Sequence, residues 1–365
     1  MSARDYIGHI GRIPSSGLVD TYRGLVRETN FVRYALFVTY FPHLIAGPVL
    51  HHKEVMPQFA DPRNSVLRSS NIAIGSSIFI IGLFKKMVVA DSIAGYVVPA
   101  FTSFQPSLLV AWGATLGFTL QIYFDFSGYS DMAIGLSRLF GVRLPANFNS
   151  PYKAQNISEF WRRWHMSLSR FLHDYLYIPL GGNRKGPSRR YANLMATMVL
   201  GGIWHGAAWN FVAWGPLHGG YLAIHHAWLG LLHRIVGSAP SGIAERIAAH
   251  SLTLLAVIVG WVFFRATSLA NAVDILRGMI GLNGVELPLR WKGPLGILAD
   301  GLMALGAKFT PANGFPEGQL AWITLPFAIC LLLPNSQQIT RYYRPLFETD
   351  GQQCIHFDSH IKLTW

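Results

Sequence analysis

From Phe31 onward the chain alternates apolar stretches with short polar breaks. The pattern predicts membrane-embedded segments near 31–50, 71–84, 86–101, 107–124, 191–211, 212–232, 250–266 and 317–333. Several fall short of the ~20 residues that cross a bilayer as a helix. Many carry Gly, Pro or His, which suits re-entrant or broken helices enclosed by protein. Residues 1–30 hold no apolar run, so no cleavable signal peptide is expected there. No period of 20–50 residues repeats, which gives solenoids no support. The fold class expected is all-α: a polytopic transmembrane helical bundle with re-entrant and amphipathic interfacial helices. Its membrane domain spans 31–345, between a polar N-terminal segment at 1–30 and a polar C-terminal segment at 346–365.

Two stretches are amphipathic rather than apolar. Asn156 followed by Glu159 is a variant capping box that starts a helix. Glu159 with Arg163 and Arg170 with Asp174 stand at i,i+4 spacing and predict ion pairs. Phe160, Trp164, Leu168 and Leu172 make the apolar stripe, and Pro179, Gly181 and Gly182 end the helix. Residues 156–178 therefore predict one amphipathic helix near the cytoplasmic interface, too polar to span. Residues 267–283 are a second such helix, with Leu269, Val273, Leu276 and Ile280 on one face.

Composition sharpens the class. Apolar residues make up 51% of the 365 and charged residues 13%, against ~25% charged in soluble domains. A soluble protein of this length needs more polar surface than that, so the chain reads as a membrane protein. The net charge of +12 then marks cytoplasmic loops, not nucleic-acid binding. Arg184, Lys185, Arg189 and Arg190 form the densest basic loop and set the orientation of the apolar segments after it. Cys330 and Cys354 are too few for a disulfide framework or a thiolate metal site.

Fourteen histidines invite a metal hypothesis. No HExxH occurs, and His218, His225 and His226 lack the spacing that sets two ligands on one helix face. His51 and His52 have no acidic or histidine partner at helical spacing. No metal and no bound cofactor is expected. His205 differs, because it lies in the near-continuous apolar run 195–220. It is 14 residues beyond Tyr191, about 21 Å along a helix and past the midplane of a ~30 Å core. An ionisable group there is either a packed histidine bonded to a neighbouring helix or a functional one. Gly201, Gly202 and Gly206 around it permit close approach of backbone or substrate. His165, in WRRWHMSLS, is either an interfacial histidine among tryptophans or a site group. Asp125 and Asp131 either line a polar cavity or mark the end of the segment before them. No GxSxG, phosphate loop or dinucleotide fingerprint is present. Two histidines without a nucleophile can still run direct acyl transfer, one as general base toward a hydroxyl. The other, or an amide, would orient the donor or stabilise the oxyanion.

The residues YFPHLIAGPVLHHKEVMPQF (40–59), QIYFDFSGYSDMAIGLSRLFG (121–141), NFNSPYKAQNISEFWRRWHMSLSRFLHDYLYIPLGGNRKG (147–186), GGIWHGAAWNFVAWGPLHGGYL (201–222), WVFFRATSLANAV (261–273) and NSQQI (335–339) run in order across the chain. Together they resemble the membrane-bound O-acyltransferase family, and within it the bacterial alginate O-acetylation branch. The resemblance implies a buried tunnel, with His205 as the catalytic histidine and His165 as the second polar site residue. Trp204, Asp125, Asp131, Asn183, Trp164 and Asp174 are the expected tunnel or substrate contacts. It also implies an acyl thioester donor, as acetyl-coenzyme A or on an acyl carrier. The expected partners are membrane lipids, periplasmic acetylation proteins and an exported polysaccharide acceptor. The expected location is the bacterial inner membrane, multi-pass. Against the family's pattern the chain is expected to be shortened at both ends.

Two other classes compete with this reading. A transporter or flippase also uses broken helices with buried polar groups, and an acyl-transfer assay separates it from an enzyme. A metal-dependent oxidase is disfavoured by the histidine spacing, and metal content tests it. The basic loop gives the first test. In a background lacking both native cysteines, a cysteine replacing Ser188 should react only when the reagent reaches the cytoplasm. Labelling of intact cells by an impermeant thiol reagent would reverse the orientation.

Overall fold

A computed structural model describes residues 30–44, 47–50, 52–103, 105–235, 242–311 and 318–341. The readings of 1–29, 346–365, Cys354 and His51 fall outside these residues, as does the side chain of His52. The chain folds as helices α1 (Phe31–Thr39), α2 (His52–Phe59), α3 (Ser69–Phe84), α4 (Asp91–Thr102) and α5 (Leu108–Leu139). Two short helices follow, α6 (Ile157–Arg163) and α7 (Met166–Leu172), then α8 (Pro187–His205), α9 (Trp209–Ile235), α10 (Ile243–Arg265) and α11 (Leu269–Met279). The last described part holds α12 (Ile297–Ala304), α13 (Gln319–Leu332) and α14 (Ser336–Arg341). The only strands among the described residues are β1 (Glu286–Pro288) and β2 (Lys308–Thr310), paired in parallel. The all-α reading therefore holds.

Among the described residues, three helical runs are long and apolar enough to cross a membrane: Ser69–Thr102, Leu108–Leu139 and Ile243–Arg265. The first corrects the sequence reading, which breaks it at Lys85–Lys86. Lys85 and Lys86 do not end the helix but open a π-helical stretch over Lys85–Ala90 that joins α3 to α4. The second run passes through Asp125 and Asp131, so neither aspartate marks its end. Both corrections have one cause. Lys85 Nζ lies 2.7 Å from Asp131, and Lys86 Nζ lies 2.8 Å from Asp125. Each charge that would stop a lone helix is matched across the α3–α4/α5 seam, where an unmatched charge would be costly. Asp131 also accepts from Ser336 Oγ at 2.6 Å and Gln337 Nε2 at 3.1 Å, which fastens α14 to the bundle.

The same seam is close because glycines face each other at heptad spacing on antiparallel helices. A Cβ on Gly75 would sit 2.7 Å from the Gly135 carbonyl, and one on Gly82 would sit 2.6 Å from that of Gly128. Small residues let the backbones meet. α5 is the central post: α3, α4, α10, α11 and α13 all pack on it. The core around it is unusually aromatic, with Tyr123, Phe148, Tyr152, Phe160, Trp164 and Trp261 buried together.

α11 is the second expected amphipathic helix. Its buried face is Ala272, Ile275, Gly278 and Met279, whereas Leu269, Val273 and Ile280 are exposed. Gly278 lets the helix approach the Pro106 carbonyl, within 2.4 Å of where a Cβ would be. The small residues thus take the contact and the larger apolar ones face outward, as lipid contact requires. The ion-pair seam predicts a specific rescue. Asp131→Ala, which strands Lys85, should destabilise the protein in detergent by about 3–5 kcal/mol. Lys85→Met with Asp131→Leu should recover most of that loss. Thermal unfolding checks both, and equal losses in the single and double variants would contradict the pairing.

Candidate active site

Asn156 caps α6 by accepting from the Glu159 amide at 2.8 Å. Glu159 reaches back one residue further than a capping box would, accepting from the Gln155 amide at 2.8 Å. The expected Glu159–Arg163 pair forms at 2.7 Å. The expected Arg170–Asp174 pair does not. Arg170 instead holds Glu54 of α2 through both terminal guanidinium nitrogens, and Asp174 meets His173 at 2.7 Å. The single helix predicted over 156–178 is also corrected. It stops at Arg163, restarts at Met166 and turns π-helical over His173–Tyr177. Its apolar side chains Phe160, Trp161, Trp164 and Leu168 pack inward and are buried, with His165 among them.

The break falls on His165. Its φ of 42° is left-handed, a conformation that costs a side-chain-bearing residue about 1–2 kcal/mol. The segment 147–149 clamps it. The Met166 amide donates to the Asn147 carbonyl at 2.9 Å, and the Asn149 amide donates to the Arg163 carbonyl at 2.9 Å. Asn147 Oδ1 accepts from Ser167 Oγ at 2.8 Å and the Ser167 amide at 3.3 Å, and lies 3.0 Å from His165 Nδ1. An amide N–H can only donate, so the atom it reaches is the oxygen of Asn147. His165 Nδ1 therefore carries a proton, and in the neutral ring the lone pair lies on Nε2. Asn147 Nδ2 donates in turn to Ser130 Oγ of α5 at 3.1 Å.

His205 is the last residue of α8, where the chain turns over Gly206 into α9. It is partly buried. Its ring stands edge-on to Trp204 at 4.9 Å, Trp214 at 5.3 Å and Phe264 at 5.1 Å. The hairpin is tight because a Cβ on Gly202 would lie 2.5 Å from the Phe211 carbonyl. A Cβ on Gly201 would meet only Leu172, at 3.4 Å, beside a cavity. One glycine thus closes the backbones together and the other leaves space.

The two histidines share a small cavity, walled by Ile122, Phe126, Trp164, Trp261 and Phe264 among others. A second small cavity also reaches His205 and continues past Gly201, Met198 and Thr197, back along α8 toward the basic loop. Trp161, Leu168, His205 and Trp214 line both. His205 thus stands at the junction of two apolar chambers.

The remaining expected site residues divide. Trp164 lines the shared cavity and Trp204 packs on His205. Asp125 and Asp131 line neither cavity and are held by lysines at the α5 seam. Asn183, which accepts from the Tyr177 hydroxyl, and Asp174 also line neither. His226 lies 3.0 Å from Arg190, with its ring 5.5 Å from that of His225, and lines neither cavity. The sequence reading passed over Asn147, Trp214 and Phe264. Asn147 carries the only legible sign, a polar residue between apolar neighbours in LPANFN.

The chain belongs to the membrane-bound O-acyltransferase family, whose profile matches residues 15–238. It is 50% identical over 260 residues to a peptidoglycan O-acetyltransferase of Helicobacter pylori, covering 71% of this chain and 48% of that protein. It is 47% identical over 265 residues to a probable alginate O-acetylase of Azotobacter vinelandii, covering 72% and 51%. A teichoic acid D-alanyltransferase of Streptococcus thermophilus is 27% identical, over 58% and 54%. The chain spans about half the length of these curated relatives.

The two neighbouring glycines give opposite predictions. Gly202→Ala should lower the melting temperature, since overpacking against backbone costs about 1–3 kcal/mol. Gly201→Val should narrow the cavity and slow turnover while leaving the melting temperature near that of the parent. Thermal melts and activity on the same preparations check this; the reverse ordering would contradict the assignment.

Proposed function

We propose that this chain carries the catalytic core of an O-acyltransferase that moves an acyl group, most simply acetyl, from a cytoplasmic thioester to a hydroxyl of an exported polysaccharide. The observation that carries the reading is the shared cavity, with both histidines on its wall and a second chamber leading from His205 toward the basic loop. Donor from one side and acceptor from the other would meet at His205. Names borne by the relatives favour a cell-wall or alginate-like glycan as acceptor. A bacterial inner membrane with several crossings is the setting that fits a cytoplasmic donor and an exported acceptor.

In this reading His205 accepts the proton of the acceptor hydroxyl as its oxygen attacks the thioester carbon. The C–O bond forms, the tetrahedral adduct collapses, the C–S bond breaks, and the proton passes from the imidazolium to the leaving thiolate. The products are an ester and a thiol. No covalent enzyme intermediate is needed. His165, with its lone pair on Nε2, accepts a hydrogen bond and so orients an O–H or N–H of the substrates. Asn147 positions it from behind.

His205→Ala should remove most acyl transfer, by ~10²-fold or more, with membrane insertion intact. His165→Ala should cost less. Assays in membranes with radiolabelled acetyl-coenzyme A and an alginate or peptidoglycan acceptor check both. Near-normal transfer by inserted His205→Ala protein would sink the reading, as would a trapped acyl group on a serine or cysteine. Glycan movement without any acyl transfer would favour a transporter instead.

A further inference from the structure

The proposed chemistry leaves one charge unserved. As the hydroxyl attacks, negative charge develops on the carbonyl oxygen, and it needs hydrogen-bond donors already in position. Neither histidine supplies one in the state described. His205 acts as base through its lone pair, and His165 gives its Nδ1 proton to Asn147. No lysine or arginine lines either chamber.

Three indoles on the shared cavity have no acceptor, and two of them, unlike Trp261, also stand at the junction with the second chamber. The indole nitrogens of Trp161 and Trp214 are buried and meet no hydrogen-bond partner among the described residues. Both side chains are more than nine-tenths buried, at 7% and 3% exposed. Both line the two chambers that meet at His205. Their rings are 5.7 Å apart, and Trp214 stands 5.3 Å from the His205 ring. His218 packs behind them, 5.2 Å from Trp161 and 4.9 Å from Trp214, yet its nitrogens bond to neither indole. Buried N–H groups without acceptors are costly and rare, so a pair of them beside a cavity calls for a ligand oxygen. An indole N–H only donates, so it selects a carbonyl or oxyanion over a hydroxyl proton or a cation.

Building on the acyl-transfer reading above, we propose that the indole N–H groups of Trp161 and Trp214 receive the thioester carbonyl oxygen and hold the oxyanion of the tetrahedral adduct. The oxygen gains charge when the C–O bond to the acceptor forms and returns it when the C–S bond breaks. No proton leaves either indole. Uncharged donors in an apolar chamber suit this task, because they carry no ionic hydration shell to strip and act in a low-dielectric site.

The test uses the full chain in lipid nanodiscs with acetyl-coenzyme A labelled with ¹³C at the carbonyl. Isotope-edited infrared spectra are taken in a His205→Ala background, where the bound thioester persists. The carbonyl band should lie below that of free thioester and move back toward it in Trp161→Phe, in Trp214→Phe and furthest in the double variant. With His205 present, each Phe variant should lose about 10²–10³-fold in kcat, the scale for one oxyanion donor, with KM for the thioester changing less. Benzothienylalanine at either position keeps the ring's shape without the N–H. It should reproduce the loss even where Phe disturbs folding. An unshifted band, a shift that survives in the double variant, or parental kcat with benzothienylalanine at both positions would overturn the proposal. Absence of acetyl transfer by the parent would instead count against the acyl-transfer reading on which the proposal rests.

Discussion

The ion pair between Lys85 and Asp131 joins two helices whose backbones already touch through facing glycines. Taking either charge into an apolar bundle alone would cost more than packing returns, so the pair fixes how α3 and α5 are rotated against each other. That rotation reaches the site. Ser130 is the next residue on α5, and it accepts from Asn147, whose other amide atom holds His165. A run of short contacts thus leads from a structural charge pair to His165, the imidazole proposed to orient the substrates. Gln337 and Ser336 close the same network from α14, which binds a distant stretch of chain to the central post.

The site itself is built from opposite materials. Its walls are aromatic and aliphatic, and its polar atoms are few and held in fixed orientation. His165 is kept in a left-handed conformation that only its surroundings can maintain. Asn147, Ser167 and the two backbone bonds from 147 and 149 supply that restraint. His205 is restrained by packing, caged by Trp204, Trp214 and Phe264 at the turn between α8 and α9. An imidazole in such a chamber meets little water, so a hydroxyl brought to it has few competitors for its proton.

Much of this was legible in the residues. Composition and apolar runs gave the membrane class, and Gly-flanked His205 in an apolar stretch drew attention by its cost alone. The motif order gave the family, which the matched profile bears out. What failed did so for one reason: local pattern does not report partners distant in sequence. Lys85–Lys86 looked like a break and Asp125 like an end because each partner lies about 40 residues away. Arg170 looked paired with Asp174 because Glu54, 116 residues away, is invisible to helical spacing. The break at His165 is invisible for the same cause, since the clamp that bends the chain comes from Asn147.

The central claim is that His165 and His205 address one reacting carbon from the wall of a common chamber. A cryo-EM structure with a non-hydrolysable thioester analogue bound, in which a methylene replaces the sulfur of acetyl-coenzyme A, tests it most directly. The account predicts the acyl carbon in the shared cavity, within reach of both imidazoles, with the remainder of the analogue leading past Gly201 and Met198 toward the basic loop. An analogue bound with its acyl carbon away from His205, or entering from the Phe126 side, would contradict it.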